Sequence, residues 1–245
     1  MKIYTNKTKE TEILSIEEWC KECPPKNKVK QWVDGRSAME TAKFWTSLEK
    51  QSDFLAFMRK KESSIAFDYA IPELANKFDD YRSPRKTDLC LFGNQEDERI
   101  FISIEGKADE SFGEYIDKEW ISSIFEKIKK VHSRKLDRII NLYQRFGAKA
   151  DFLNLRYQLT YWLAGAIEEA IGNEIKKVYL IVQVFESGKT EEKKIKKNEQ
   201  DFNNFINFIS KSKIDIIERN EIIGPINNDF TRNLDLYIGK YHVKL

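Results

Sequence analysis

The sequence predicts an α/β fold in which helices flank a mixed β-sheet. Helical and extended patterns alternate along the chain, and two of the extended segments are separated only by a short polar turn. Alternating helices and strands favour parallel pairing, whereas a hairpin adds an antiparallel pair to the same sheet. The length of 245 residues allows one domain with a large insertion or two domains. We expect one domain, over residues 1–245.

The segments before the hairpin are mostly helical. Residues 16–23 fit a short helix, and Ser37 is a suitable N-cap for a second helix with the sequence SAMETAKFWTSLEK. A third helical segment, SDFLAFMRKK, follows it. The next segment, SSIAFDYAIPEL, is extended and is predicted to be a strand that ends at Pro72 or shortly after.

The hairpin is formed by two apolar segments and a polar turn. TDLCLFG contains four consecutive apolar residues, as expected of a strand buried on both faces. NQEDE is predicted to be the turn, and RIFISIEGK the paired strand. The first strand carries Asp88 and the second carries Glu105.

The segments after the hairpin alternate between helix and strand. Residues 117–146 fit one long helix or two, because apolar residues recur there at helical spacing. These apolar residues are Ile121, Phe125, Ile128, Val131, Ile139, Tyr143 and Phe146. LRYQLTYWLAGAIEEAIGN is another helix, and KKVYLIVQVFE is a buried strand of the kind found in the middle of an α/β sheet. A helix, DFNNFINFIS, and an alternating strand, LDLYIGKYHV, complete the chain.

A basic segment lies within a chain of nearly balanced charge. The formal net charge is only +2, so any nucleic-acid surface depends on where the charges lie. From Lys127 to Lys149 there are eight basic residues and a single acidic one, Asp137. The basic residues are Lys127, Lys129, Lys130, Arg134, Lys135, Arg138, Arg145 and Lys149. A solvated helix face explains such a run as well as a nucleic-acid surface does.

Several classes of protein and site are disfavoured. No segment has the ~18 apolar residues of a membrane span, and the N-terminus lacks the apolar stretch of a secretory signal, so we expect a cytoplasmic protein with no membrane partner. Cys20 and Cys23 supply only two of the four ligands that structural zinc needs. The SGKT motif at 187–190 has Gln183 where a phosphate-binding loop needs glycine. Neither histidine has a G-x-S-x-G partner for nucleophilic catalysis.

The end of the hairpin combines charged residues that could act together. Glu105 and Lys107 lie two residues apart on a strand and share a face, while Gly106 leaves the backbone between them open. If the strands pair, the carboxylate of Asp88 approaches that of Glu105. Two such carboxylates repel each other unless a cation lies between them, and Mg²⁺ accepts one or two carboxylates together with water and substrate phosphate. A neighbouring lysine could orient or deprotonate an attacking water and oppose negative charge at phosphorus.

This pattern, Asp…Glu-x-Lys on two adjacent strands with a helix before and a helix after, resembles the PD-(D/E)XK nuclease superfamily, which has the restriction-endonuclease-like fold. The resemblance covers about residues 37–186 and implies an αβββαβ core with a mixed central sheet flanked by helices. The segment at about 114–150 would be a helical insertion. A C-terminal helix and strand, 200–245, would follow the core.

The resemblance also assigns roles to residues of the hairpin. Asp88 and Glu105 would hold the metal ion, Mg²⁺ or Mn²⁺, and Lys107 would be the catalytic lysine. One departure concerns the proline that gives the motif its name, because Thr87 stands next to Asp88 instead.

The resemblance implies two further site residues, one on each of the neighbouring helices. Gln158, near the start of the helix after the hairpin, would lie near the site. The exonuclease-type pattern requires a tyrosine four residues later, where Trp162 stands, so no exonuclease subtype is assigned. Glu40 on the first core helix would be an additional site glutamate, with Glu73 as the alternative.

The implied activity is that of a metal-dependent nuclease that hydrolyses phosphodiester bonds, with DNA as the expected substrate. The residues expected to contact nucleic acid are Lys129, Lys130, Arg134, Lys135, Arg138 and Arg156. A homodimer is expected because many enzymes of this fold cut two strands as dimers. Two alternatives stay open: a catalytically silent module of the same fold that binds nucleic acid or protein, and ordinary charges at strand ends.

Overall fold

A computed structural model of the chain describes residues 1–81, 84–131, 133–188, 190–210 and 217–245; His132 and Lys189 of the SGKT motif lie outside the described residues. The helices are α1 (Ile16–Glu22), α2 (Lys28–Gln31), α3 (Ser37–Trp45), α4 (Leu48–Lys61), α5 (Ile116–Ile128), α6 (Lys135–Arg145), α7 (Tyr157–Gly172) and α8 (Glu192–Ser210). The strands are β1 (Lys2–Ile3), β2 (Ile65–Asn76), β3 (Arg85–Gln95), β4 (Glu98–Lys107), β5 (Lys177–Glu186), β6 (Ile222–Ile226) and β7 (Asp235–Lys244). Short 3-10 helices cover Ala150–Asn154 and Asp229–Thr231.

The described strands form one mixed sheet in the order β1-β2-β3-β4-β5-β7-β6. β2, β3 and β4 form an antiparallel meander, whereas β4, β5 and β7 run parallel to one another. β1 pairs parallel with β2, and β6 pairs antiparallel with β7. The parallel step from β4 to β5 needs a crossover connection, which α5, α6 and α7 supply. The predicted α/β fold with a mixed sheet flanked by helices is therefore confirmed.

Each face of the sheet has its own hydrophobic core. Successive residues of β3, such as Leu89 and Cys90, belong to different clusters because strand side chains alternate between the faces. Trp162 of α7 and Phe202 of α8 belong to the cluster of Cys90, whereas Trp45 of α3 belongs to that of Leu89. Helices thus cover both faces, and the end of β4 lies between α3 and α7.

The β3–β4 hairpin turns at Glu96 and Asp97, within the longer turn predicted from NQEDE, and its first strand is longer than predicted. Its register pairs Gln95 with Glu98 and Leu89 with Ile104. β3 begins at Arg85, two residues before the predicted start, so this arginine becomes part of the sheet.

β2 continues past the predicted end near Pro72 and reaches Asn76. Pro72 pairs with Leu89 of β3 inside the strand. Proline has no N–H to donate, so it is tolerated only where one edge of the strand is open. Among the described residues β1 pairs with β2 only at Tyr69 and Ala70, which leaves that edge open at Pro72.

The segment 117–146 forms two helices, α5 and α6. Ile139 is buried, whereas Ile121, Phe125 and Ile128 are 56%, 58% and 68% exposed. The apolar spacing therefore identifies the helices correctly but does not show which face of α5 is buried. Despite this exposed apolar surface, none of the described helices is long and apolar enough to cross a membrane.

Candidate active site

The last three residues of β4 form the centre of the candidate site. Glu105 and Lys107 are 2% and 6% exposed, and both contact Gln158 at the start of α7. Gly106 lies between them and faces α3, where a Cβ atom would be 2.6 Å from Oγ1 of Thr41. Glycine is needed here because the helix approaches the strand so closely.

The carboxylate of Glu105 is held by three side chains. Its Oε1 lies 3.0 Å from Nζ of Lys107 and also accepts a hydrogen bond from Nε2 of Gln158. Oε1 of Gln158 accepts from the same Lys107 Nζ at 3.1 Å, so the three side chains form a closed ring. The other oxygen of Glu105 accepts from a terminal nitrogen of Arg85. Buried hydrogen bonds between charged groups are strong, so this arrangement fixes Lys107 firmly.

Asp88 is connected to the same strand through the backbone. Its Oδ2 accepts a hydrogen bond of 2.8 Å from the N–H of Gly106, the residue between Glu105 and Lys107. Burial raises the pKa of Asp88 well above its ordinary value, and the charge of Glu105 raises it further. The structure thus brings the three hairpin residues predicted from the sequence together at one end of the sheet.

Between the two candidates for an additional glutamate, the structure places Glu73 nearer to Asp88. The side chains of Glu73 and Asp88 line one small cavity. Burial raises the pKa of Glu73 to about 7. Glu40 is buried on α3, but its Oε1 accepts hydrogen bonds from the N–H of Gly35 at 2.8 Å and from Nζ of Lys43 at 2.9 Å. The carboxylate of Glu40 is therefore occupied by the loop before α3 and by a lysine of the last turn of the same helix.

Two residues of the site were missed by the sequence analysis. Arg85, 8% exposed, pairs with Glu105, and its Nε has no hydrogen-bond partner among the described residues. The segment containing it has the composition of a loop, and only its position two residues before Thr87 indicates a strand. Thr41 contributes a buried hydroxyl, also without a described partner, beside Gly106. Nothing in the helical pattern of α3 distinguishes Thr41 from its neighbours.

The donor set suits a hard divalent cation. Asp88 and Glu105 offer carboxylate oxygens, and the charges of Glu105 and Glu73 both raise the pKa of Asp88. A cation beside these carboxylates would relieve that repulsion, and Mg²⁺ or Mn²⁺ prefers such oxygen ligands. The unpartnered oxygen of Thr41 is a further polar atom at the same end of the sheet. Within the described ranges, no group of three His, Cys, Asp or Glu side chains is arranged to hold a metal ion.

Comparison with protein families identifies the family of the chain. A family model described as a domain of unknown function, DUF6946, matches residues 12–244. The chain belongs to the DUF6946 family. The matched range of the DUF6946 domain contains every residue of the candidate site. No curated protein and no solved structure matches the chain.

In this DUF6946 domain, two arginines predicted to contact nucleic acid are largely buried. Nε of Arg138 lies 2.7 Å from Asp79, and Nε of Arg156 lies 2.7 Å from Asp201. Arg156 also donates to the carbonyl of Gly113 at 2.6 Å, which holds the loop before α5. Both guanidinium groups therefore support the fold, and their contacts with nucleic acid stay predictions.

The other basic residues of the predicted surface lie between the C-terminus of α5 and the N-terminus of α6. Lys135 is 2.8 Å from Glu119 of α5, and Arg134 is 2.9 Å from Asp137. Lys129 and Lys130 are exposed and form no ion pair with any described residue. This part of the DUF6946 domain presents positive charge to solvent, as a solvated helix face or a phosphate-binding surface would.

Proposed function

We propose that this DUF6946 domain is a metal-dependent nuclease with a restriction-endonuclease-like core, and that DNA is its substrate. The observation that carries the proposal is the position of Lys107, which lies between Glu105 and Gln158 next to the peptide that binds Asp88. The order of elements supports it, since α3 and α4 precede the meander β2–β3–β4 and α7 leads to the parallel strand β5. This is the αβββαβ order implied by the resemblance.

Asp88 and Glu105 would hold Mg²⁺ or Mn²⁺ in this function. When bound, the metal ion would polarise the phosphodiester and lower the pKa of a water molecule. The protein contributes a lysine whose ammonium is fixed by Glu105 and Gln158 and is therefore ready to orient the attacking water. The same ammonium opposes the negative charge that develops on the phosphate oxygens. Because these side chains are buried, their electrostatic effect is stronger than it would be in bulk water.

Cleavage assays with labelled single- and double-stranded DNA and RNA test the proposal, each with Mn²⁺, Mg²⁺ or EDTA. We expect DNA cleavage that needs the metal and is lost in Lys107→Ala. Lys177→Ala is the matched control, since Lys177 is paired with Glu98 at the opposite end of the sheet. Equal cleavage by the wild type and Lys107→Ala would exclude Lys107 from the chemistry.

A non-enzymatic binding module is the second candidate, and one observation favours it. Both oxygens of Glu105 are already bound by Arg85, Lys107 and Gln158, as in a structural ion-pair network. A binding module would cleave none of the nucleic acids with any of the metals. Glu105→Gln would then lower the stability of the protein without changing its affinity for any nucleic acid. The cleavage assay and a thermal melt of Glu105→Gln separate the two functions.

A further inference from the structure

A second buried lysine lies on the same face of the sheet as Glu105. Lys240 of β7 is 2% exposed, and its amine forms no hydrogen bond or ion pair with any described residue. The register pairs Glu105 with Val182 of β5, and Val182 with Lys240. Directly paired residues of parallel strands point to the same face, and two strand spacings separate these backbones by about 10 Å. Burying the side chain of a lysine whose charge has no partner is costly, so this lysine calls for an explanation.

Lys240 and Lys107 line one cavity between the sheet and α8. The cavity is about 20 Å³, which is room for roughly one water-sized atom. Apolar side chains such as Phe112 and Phe202 form much of its wall. The side chains of both lysines therefore line one small space whose surface is almost entirely apolar.

The charges around Lys240 do not neutralise it within the fold. Glu199 of α8 lines the same cavity, and its charge raises the pKa of Lys240, as does that of Glu221. Burial has the larger effect and lowers the pKa, with Arg219 acting in the same direction. Glu199 makes no ion pair with Lys240 in the described part of the chain. An anionic ligand would supply the missing negative charge.

We propose that Lys240 is a further binding residue of the active site, whose ammonium holds a non-bridging phosphate oxygen of the nucleic-acid strand beside the phosphate at Lys107. The inference rests on the proposed function. A cavity of this size accepts one oxygen and leaves the rest of the phosphate at its mouth. Lysine suits this task because its ammonium is a compact charge that binds phosphate without a fixed planar geometry. The strand would then be held at two points, by Lys107 at the reacting phosphate and by Lys240 next to it.

Binding measured without catalysis tests the inference. The fluorescence anisotropy of a labelled single-stranded DNA oligonucleotide is titrated in EDTA with the wild type, Lys240→Met and the control Lys244→Met. Lys244 is exposed on the same strand, whereas methionine in place of Lys240 keeps the length of an apolar side chain in a buried position. We expect Lys240→Met to weaken binding roughly 10-fold, the effect of losing one hydrogen bond to a charged group. The slope of log Kd against log salt should also fall by about 1, because one phosphate contact is lost.

The outcomes separate this inference from the proposed function. If the wild type cleaves DNA while Lys240→Met binds DNA with unchanged affinity and salt slope, the role of Lys240 is overturned and the nuclease proposal stays intact. A wild type that neither cuts nor binds any of the nucleic acids would overturn both. If Lys240→Met does not fold, as judged by circular dichroism, Lys240→Gln replaces it, with the same expected loss of binding and of salt slope.

Discussion

The backbone N–H of Gly106 donates a hydrogen bond to Oδ2 of Asp88 over 2.8 Å. A side-chain carboxylate of β3 thereby takes the place of a backbone acceptor, beyond the last pair in the register of the two strands. The bond fixes Asp88 next to the peptide that joins Glu105 to Lys107. The backbone of β4, and not only its side chains, therefore determines where the three hairpin residues stand.

Replacement of Gly106 with alanine is expected to lower the free energy of unfolding by about 1–3 kcal/mol, the usual cost of overpacking. The added Cβ would lie 2.6 Å from Oγ1 of Thr41 and 3.5 Å from Oδ2 of Asp88. The double variant Gly106→Ala/Thr41→Ala removes the closer clash and should regain most of that stability. Urea denaturation of the two single variants and the double variant measures this coupling. Strict additivity of the single effects would contradict the proposed contact.

Arg85 is expected to be essential for the stability of the site. Its loss in Arg85→Met leaves the buried carboxylate of Glu105 with fewer positive partners, which typically costs about 3–5 kcal/mol. Adding Glu105→Gln removes the carboxylate that has lost Arg85 as a partner, so the double variant should be more stable than Arg85→Met alone. A double-mutant cycle from urea denaturation at pH 7 gives the coupling. Arg59→Met serves as a control, because Nε of Arg59 donates a hydrogen bond to the backbone carbonyl of Ile65, where β2 begins.

The pKa of Glu73 predicts how stability depends on pH. Burial raises it from 4.5 to about 7 in the folded protein, so between these values the folded state binds more protons than the unfolded state. The contribution of Glu73 to the free energy of unfolding is therefore largest below pH 4.5. It decreases as the pH rises toward 7, by at most about 1.4 kcal/mol per pH unit. The raised pKa of Asp88 acts in the same direction.

Chemical denaturation between pH 4 and 8 measures this slope in the wild type and in two variants. Glu73→Gln should reduce the decrease, because its side chain does not titrate. Asp88→Asn should reduce the decrease as well, because burial also raises the pKa of Asp88. Identical profiles for the wild type and Glu73→Gln would mean that Glu73 titrates normally.

Short-range patterns in the sequence were enough to predict the fold class and to predict that Asp88, Glu105 and Lys107 lie together at one end of the hairpin. Glu105 and Lys107 share a face because they are two residues apart on a strand, and the neighbouring strand supplies Asp88. The choice between Glu40 and Glu73 could not be made in this way. It depends on how α3 is rotated about its axis and on the left-handed conformation of Glu73, whose φ is 51°.

Other features were hidden because they depend on contacts between distant segments. The role of Arg85 depends on β3 beginning two residues earlier than its apolar pattern indicates. The exposure of Phe125 depends on which side of α5 packs against the rest of the protein, and the regular apolar spacing suggests a buried face that the fold does not provide. Lys240 appears in the sequence as one polar residue in an alternating strand, and its burial follows from α8 covering that face of the sheet.

Under the proposed nuclease function, Gln158 is expected to position Lys107 rather than to take part in bond breaking. Its side chain accepts from Lys107 and donates to Glu105, so Gln158→Ala opens the ring and frees the lysine to move. Small displacements of a catalytic group cost roughly 100-fold in rate, and we expect a loss of about that size in kcat with little change in KM. Gln144→Ala, on the exposed face of α6, is the matched control. Gln158→Glu keeps an acceptor for Lys107 but places a second carboxylate beside Glu105, so it should restore little activity. A Gln158→Ala enzyme with the kcat of the wild type would show that Glu105 alone holds Lys107 in place.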